Sequence, residues 1–122
     1  SHINPDFLFN SLNSIRSLVT DGPVRARKAI TMLSNILRNS IQVDKAERTL
    51  FEKELSIIKD YIALEQIRLA DQLYVEYEIE EDTLDQPIPA MVIQNLVEKA
   101  IRHGFNEETN RGSIQIYSEY KE

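Results

Sequence analysis

Two short stretches carry the side chains able to do chemistry. In the first, Ile3-Asn4-Pro5-Asp6-Phe7-Leu8-Phe9-Asn10-Ser11-Leu12-Asn13-Ser14-Ile15, Asp6 and Asn10 stand one helical turn apart and share a face. In the second, Gln94 to Gly104, the polar residues Asn95, Glu98, Lys99, Arg102 and His103 fall within about three turns. An aspartate can carry a phosphoryl group as an acyl phosphate. Sites built for that gather further acids around it, and no acidic pair adjoins Asp6. A carboxylate in a first turn also simply opposes the helix dipole, as Arg102 and His103 would in a last turn. His2 and His103 are far apart and the chain has no cysteine, so a zinc site is not indicated.

The elements that must position these groups follow from hydrophobic period. Asn4 and Pro5 form a helix opening, an N-cap oxygen followed by a residue without the N–H that the first turn leaves unpaired. Leu8, Leu12, Ile15 and Val19 then recur with the spacing of one helix face. Thr20-Asp21-Gly22-Pro23 predicts a reversal, and Ala26, Ile30, Leu33, Leu37 and Ile41 predict a second helix from Val24 to about Val43. The pair is an antiparallel hairpin, whose apolar faces must pack on more of this chain or on a second copy. Asp44 to Arg48 is a charged connector, and Thr49 with Glu52 has the spacing of a capping box. A third helix through Leu55, Ile58, Ile62 and Leu69, with Tyr61 beside them, ends near Ala70-Asp71-Gln72.

There the period changes to two. Leu73, Val75, Tyr77 and Ile79 alternate with polar residues as a half-buried strand, followed by an acidic loop over 81–86. Pro89 is placed to open the next helix, which runs from Ala90 to His103 with an apolar surface wide enough to require extensive burial. Gly104 suits a left-handed cap, the loop from Asn106 to Arg111 is polar, and Ile114 and Ile116 mark a second alternating segment. The sum is an α+β protein.

Composition narrows the function. A net charge of -6 on 122 residues is the wrong sign for a protein whose partner is a phosphate backbone, so no nucleic acid is expected. No apolar run approaches a membrane span and no signal peptide opens the chain, so no membrane contact is expected from it. Absence of cysteine excludes disulfides and thiol catalysis and is compatible with a reducing, cytoplasmic location.

The first stretch resembles the phosphoacceptor segment of LytS-type sensor histidine kinases, Q-I-N-P-H-F-L-F-N-x-L-N-x-I, with Asp6 where that family has its phosphorylated histidine. The second resembles the N-box, L-Q-P-L-V-E-N-A-I-K-H-G: Glu98 matches the glutamate, Arg102 and His103 the basic pair, and Lys99 replaces the asparagine that holds Mg²⁺. A lysine has no acceptor oxygen and cannot ligate Mg²⁺.

The resemblance implies a helical hairpin over 1–46 that dimerises into a four-helix bundle and carries the acceptor position. It also implies that 47–122 begin an ATP-binding domain of the histidine kinase type, ending before the glycine boxes. In the parent family ATP and Mg²⁺ phosphorylate the histidine, which passes the group to a response regulator. Asp6 and Asn10 then stand at the catalytic position, Asn10 either as a solvated residue or as an orienting group. Asn95, Glu98, Lys99, Arg102 and His103 line the nucleotide side, where the last two are either dipole partners or nucleotide contacts. Two substitutions in one chemistry imply a kinase core inactive as written; a non-catalytic dimerisation and docking module is the alternative, and phosphoryl transfer to Asp6 a third.

Overall fold

The computed structural model describes residues 3–43, 47–70, 72–105, 108–109 and 111–121. His2, most of the charged connector and part of the 106–111 loop lie outside the described residues. Helix α1 (Pro5–Asp21) opens as its sequence predicts: the Asp6 N–H donates to the Asn4 side-chain oxygen at 2.9 Å. Gly22 alone separates it from α2 (Pro23–Val43). Its N–H bonds the Leu18 carbonyl at 2.7 Å, and its own carbonyl accepts the first bond of α2, from Ala26, at 2.9 Å. The chain folds back, so that Ile3 and Asn4 lie beside Ile36 and Ser40.

The buried faces are rotated from those marked by the apolar spacing and share with them only Ile15, Ala26 and Leu33 among the fully buried residues. Alpha-helix α1 buries Phe7, Ser11 and Ile15, and α2 buries Ala26, Ala29, Leu33 and Ile36; Leu12 is 51% exposed, Val19 57%, Ile30 50% and Ile41 70%. Small residues explain the shift. Ser11, Ala26 and Ala29 permit close helix approach on the inner face, while a second apolar stripe remains outside.

Helix α3 (Phe51–Arg68) is the central element. Ile57 and Leu64 join the core of the hairpin, and Ile58 and Ile62 join a second core with Leu73, Val97 and Ile101. The predicted capping box does not form. Thr49 lies in strand β1 (Arg48–Leu50), and the first N–H groups of α3 instead reach the loop: Phe51 to the Gln86 carbonyl and Glu52 to that of Leu84, each at 2.9 Å. Backbone from a distant segment supplies what the local side chain was expected to supply.

Strand β2 (Leu73–Ile79) buries the alternating face expected of it and leads into a short 3-10 turn, Glu81–Thr83. Pro89 does not open a helix. It ends strand β3 (Pro87–Pro89), which pairs antiparallel with β1, and α4 (Val92–Gly104) begins after Met91, in the left-handed conformation at φ 69°. Prolines fit a short edge pair because they have no N–H to leave unpaired.

Helix α4 buries Val97 and Ile101 yet leaves Val92 46% and Leu96 61% exposed, a narrower buried face than its composition suggests. Gly104 remains helical and supplies no left-handed cap; extended Phe105 ends the helix. The glycine required for close approach is Gly112, where a Cβ would lie 3.0 Å from the Phe105 ring. Strand β4 (Gly112–Ser118) pairs in parallel with β2, Glu76 opposite Gln115 with their side chains hydrogen-bonded at 3.1 Å. The architecture is α+β: among the described residues, four helices with two small two-stranded sheets.

Candidate functional site

Three helices converge on a cleft of about 330 Å³. Helix α1 contributes Asp6 and Asn10, α3 contributes Tyr61, Glu65 and Arg68, and α4 contributes Glu98 and Arg102, with Phe105 at its end. Asp6 and Asn10 share a wall because they are one turn apart, as do Glu98 and Arg102 on α4. Tyr61, Glu65 and Arg68 repeat the same spacing on α3.

The first turn of α1 is anchored on both sides of Asp6. Phe7 turns inward and stacks on Tyr61, ring centres 4.4 Å apart and planes 24° from parallel. Asn4 donates its side-chain N–H to Glu98 Oε1 at 2.9 Å. Asp6 itself stays exposed at the mouth of the cleft.

The α3 wall carries an ion pair made inside the helix. Arg68 donates through Nε to Glu65 Oε1 at 3.0 Å and through Nη2 to Oε2 at 2.8 Å, and Glu65 is only 4% exposed. This two-pronged geometry fixes the guanidinium plane. Burial, with the negative charges of Glu65 and Glu98 nearby, pushes the Tyr61 hydroxyl well above its ordinary pKa, so it remains a neutral phenol.

Helix α4 is placed by α3. Met91 offers no side-chain cap, and Glu54 of α3, 1% exposed, lies where the Met91 and Gln94 backbone N–H groups favour its charge. Burial outweighs them and raises its pKa above the ordinary 4.5; neither oxygen has a hydrogen-bond partner of good geometry.

The site residues expected from sequence thus divide. Asp6, Asn10, Glu98 and Arg102 meet in the cleft. Asn95 lines a small adjoining cavity with Asn4, Gln94 and Glu98. Lys99 and His103 are exposed on α4 and line neither space. One residue of helix is a 100° rotation, which turns Lys99 away although Glu98 faces in. The two substituted positions therefore do not confront each other.

Sequence reading missed Glu65, Arg68, Glu54 and the second role of Asn4, and used Tyr61 only as a packing residue. A partial signal existed for α3. Tyr61, Glu65 and Arg68 recur at i, i+4 and i+7 and so share one face, although Lys53, Glu54, Lys59, Asp60 and Gln66 make the same helix polar elsewhere and the spacing alone does not single that face out.

The cleft gathers three carboxylates, Asp6, Glu65 and Glu98, and two guanidinium groups. Arg68 is committed to Glu65, which leaves exposed Arg102 as the guanidinium able to meet phosphoryl oxygens. A divalent metal does not fit at position 99, since Lys99 only donates. Among the described residues no three His, Cys, Asp or Glu side chains gather in a metal-holding cluster.

A family model described as histidine kinase matches residues 1–73. The chain is 46% identical over 116 residues to the sensor histidine kinase YpdA of Escherichia coli (strain K12), covering 95% of this chain and 20% of that protein. It is 35% identical over 120 residues to the sensor protein LytS of Staphylococcus haemolyticus (strain JCSC1435), covering 98% of this chain and 20% of the other. With the sensor histidine kinase/phosphatase LytS of Staphylococcus aureus (strain N315) the identity is 33% over 116 residues, or 95% and 20%. The chain spans about a fifth of the length of these relatives. No helix among the described residues is long and apolar enough to cross a membrane.

Proposed function

Because the chain belongs to the histidine kinase family, as a LytS-type member of it, we propose that it is the cytoplasmic core of a sensor histidine kinase whose acceptor cleft is built but chemically silent. The observation that carries this is the meeting of Asp6 and Asn10 with Glu98 and Arg102 in one cleft. The shape of an acceptor site is kept while its histidine is replaced. Residues 1–46 are the acceptor hairpin and residues 47–122 begin the ATP-binding part, whose first helix, α3, packs on the hairpin.

In the parent family the activity is ATP- and Mg²⁺-dependent phosphorylation of a histidine, followed by transfer to a response regulator. Asn95, Glu98, Lys99, Arg102 and His103 stand at the nucleotide-side positions here. Lys99 cannot replace the metal-holding asparagine, so no phosphoryl step is routed through this chain. Its remaining work is docking: pairing with a second copy through the hairpin and presenting the N-box helix and sheet to signalling partners. The exposed stripe of Leu12, Val19, Ile30 and Ile41 favours this scaffold reading.

The test is incubation with radiolabelled ATP and Mg²⁺. We expect no label on the chain, and none after Asp6→His alone, because Lys99 still occupies the metal position. An acid-labile adduct on the Asp6→His variant would show that Lys99 tolerates the chemistry. A base-labile adduct on the unaltered chain would make Asp6 an acyl-phosphate carrier.

A further inference from the structure

We propose that Asn4 is a positioning residue that couples the first turn of α1 to α4, so that the location of Asp6 is set by a hydrogen bond to Glu98 rather than by helix packing alone. The inference rests on the reading of the cleft as an acceptor site.

Both ends of the Asn4 amide are in use. Its oxygen accepts from the Asp6 N–H at 2.9 Å, which starts the helix, and its nitrogen donates to Glu98 Oε1 at 2.9 Å, across 94 residues of sequence. One side chain therefore starts α1 and ties that start to the opposite wall of the cleft.

The backbone around it is already stiff. Pro5 fixes its own φ and holds Asn4 extended, at φ -66° and ψ 123°. With those rotations spent, the direction of the first turn depends on what grips it from outside. Phe7 grips α3 through the Tyr61 ring, and Asn4 grips α4 through Glu98. Asp6 lies between the two grips and is referenced to both walls at once.

The Asn4–Glu98 bond is also half-buried and made to a carboxylate, which strengthens it relative to an exposed amide contact. Together with Tyr61 it separates the cleft from the small cavity beside Ile36 and Met91. Glu98 has one oxygen committed to Asn4 while its side chain lines the cleft. Any proton handled by Glu98 in a chain with an active acceptor is therefore handled beside a bond that also locates the acceptor.

The experiment uses the full chain, whose lack of cysteine lets spin labels be placed at introduced cysteines. Asn13→Cys on α1 and Ala100→Cys on α4, both exposed positions, report the spacing of the two helices by pulsed electron resonance, with unlabelled chain added to suppress distances between copies. Asn4→Ser keeps a capping oxygen but is too short to reach Glu98. Asn4→Asp also caps but opposes carboxylate to carboxylate.

We expect both variants to broaden the distance distribution at least twofold while circular dichroism shows unchanged helix content. Adding Glu98→Gln to Asn4→Asp recreates the bond with donor and acceptor exchanged, and the narrow distribution should return. A distribution unmoved by either Asn4 variant overturns the proposal, as does failure of the double variant to rescue. Neither readout involves ATP. A chain that becomes labelled by ATP would overturn the proposed function and leave this coupling standing, whereas unmoved distances would do the reverse.

Discussion

Glu54 is a buried carboxylate of α3 lying against the start of α4. It stands near the uncapped start of α4 with its charge opposed mainly by burial, and its pKa is raised above 4.5 in the folded chain. The sign follows directly. A raised carboxylate favours the folded state fully below its unfolded pKa, and that contribution is lost as pH rises through the folded value. Thermal denaturation across pH 4.5 to 8, set against the ordinary carboxylate range, should therefore show stability falling with pH. Glu54→Gln should flatten that slope and be no less stable than the unaltered chain at neutral pH. Asp60, also raised by burial, leaves a residual slope of the same sign. A Glu54→Gln profile parallel to that of the unaltered chain would mean that the carboxylate is solvated.

At the scale of elements, α3 decides the rest. Its two apolar faces belong to two cores, so the hairpin and the α4–sheet unit are held together by one helix. Ile58 is fully buried on the α4 side and Ile62 nearly so. Truncation of Ile58 to Ala should cost about 2–5 kcal/mol by denaturant titration, the range for deleting a buried aliphatic side chain. The amide exchange of both α1 and α4 should then accelerate. Faster exchange confined to α4 would show that the two cores unfold separately.

At the scale of the whole molecule, the hairpin leaves apolar side chains on its outer side. Leu12, Val19, Ile30 and Ile41 are each at least half exposed, on two helices whose inner faces are already satisfied. Apolar residues scattered singly are ordinary on a surface, and larger exposed apolar patches mark interaction sites, so the proposed pairing through the hairpin predicts an oligomer that depends on these residues. Light scattering at high micromolar concentration should show a dimer, and Leu12→Glu combined with Ile41→Glu should give a monomer of unchanged helix content. A strict monomer before any substitution would remove the bundle from the reading.

Sequence by itself determined the four helices and the two longer strands, because period and caps are local: Asn4-Pro5 starting α1, the reversal at Gly22, the change to period two at Leu73; the short β1–β3 pair left no such signal. It also marked the two stretches that meet in the cleft, since matched wording survives without coordinates. Tertiary structure decided three things that no local signal carries. It chose between two apolar stripes on each hairpin helix by close approach at Ser11, Ala26 and Ala29. It capped α3 with carbonyls of Leu84 and Gln86 and left Thr49 in a strand, because backbone donors take whatever acceptor folding brings near. And it turned Glu98 toward Asp6 while leaving Lys99 outside, a separation set by the 100° step between adjacent helical residues and by which face of α4 packs on α3.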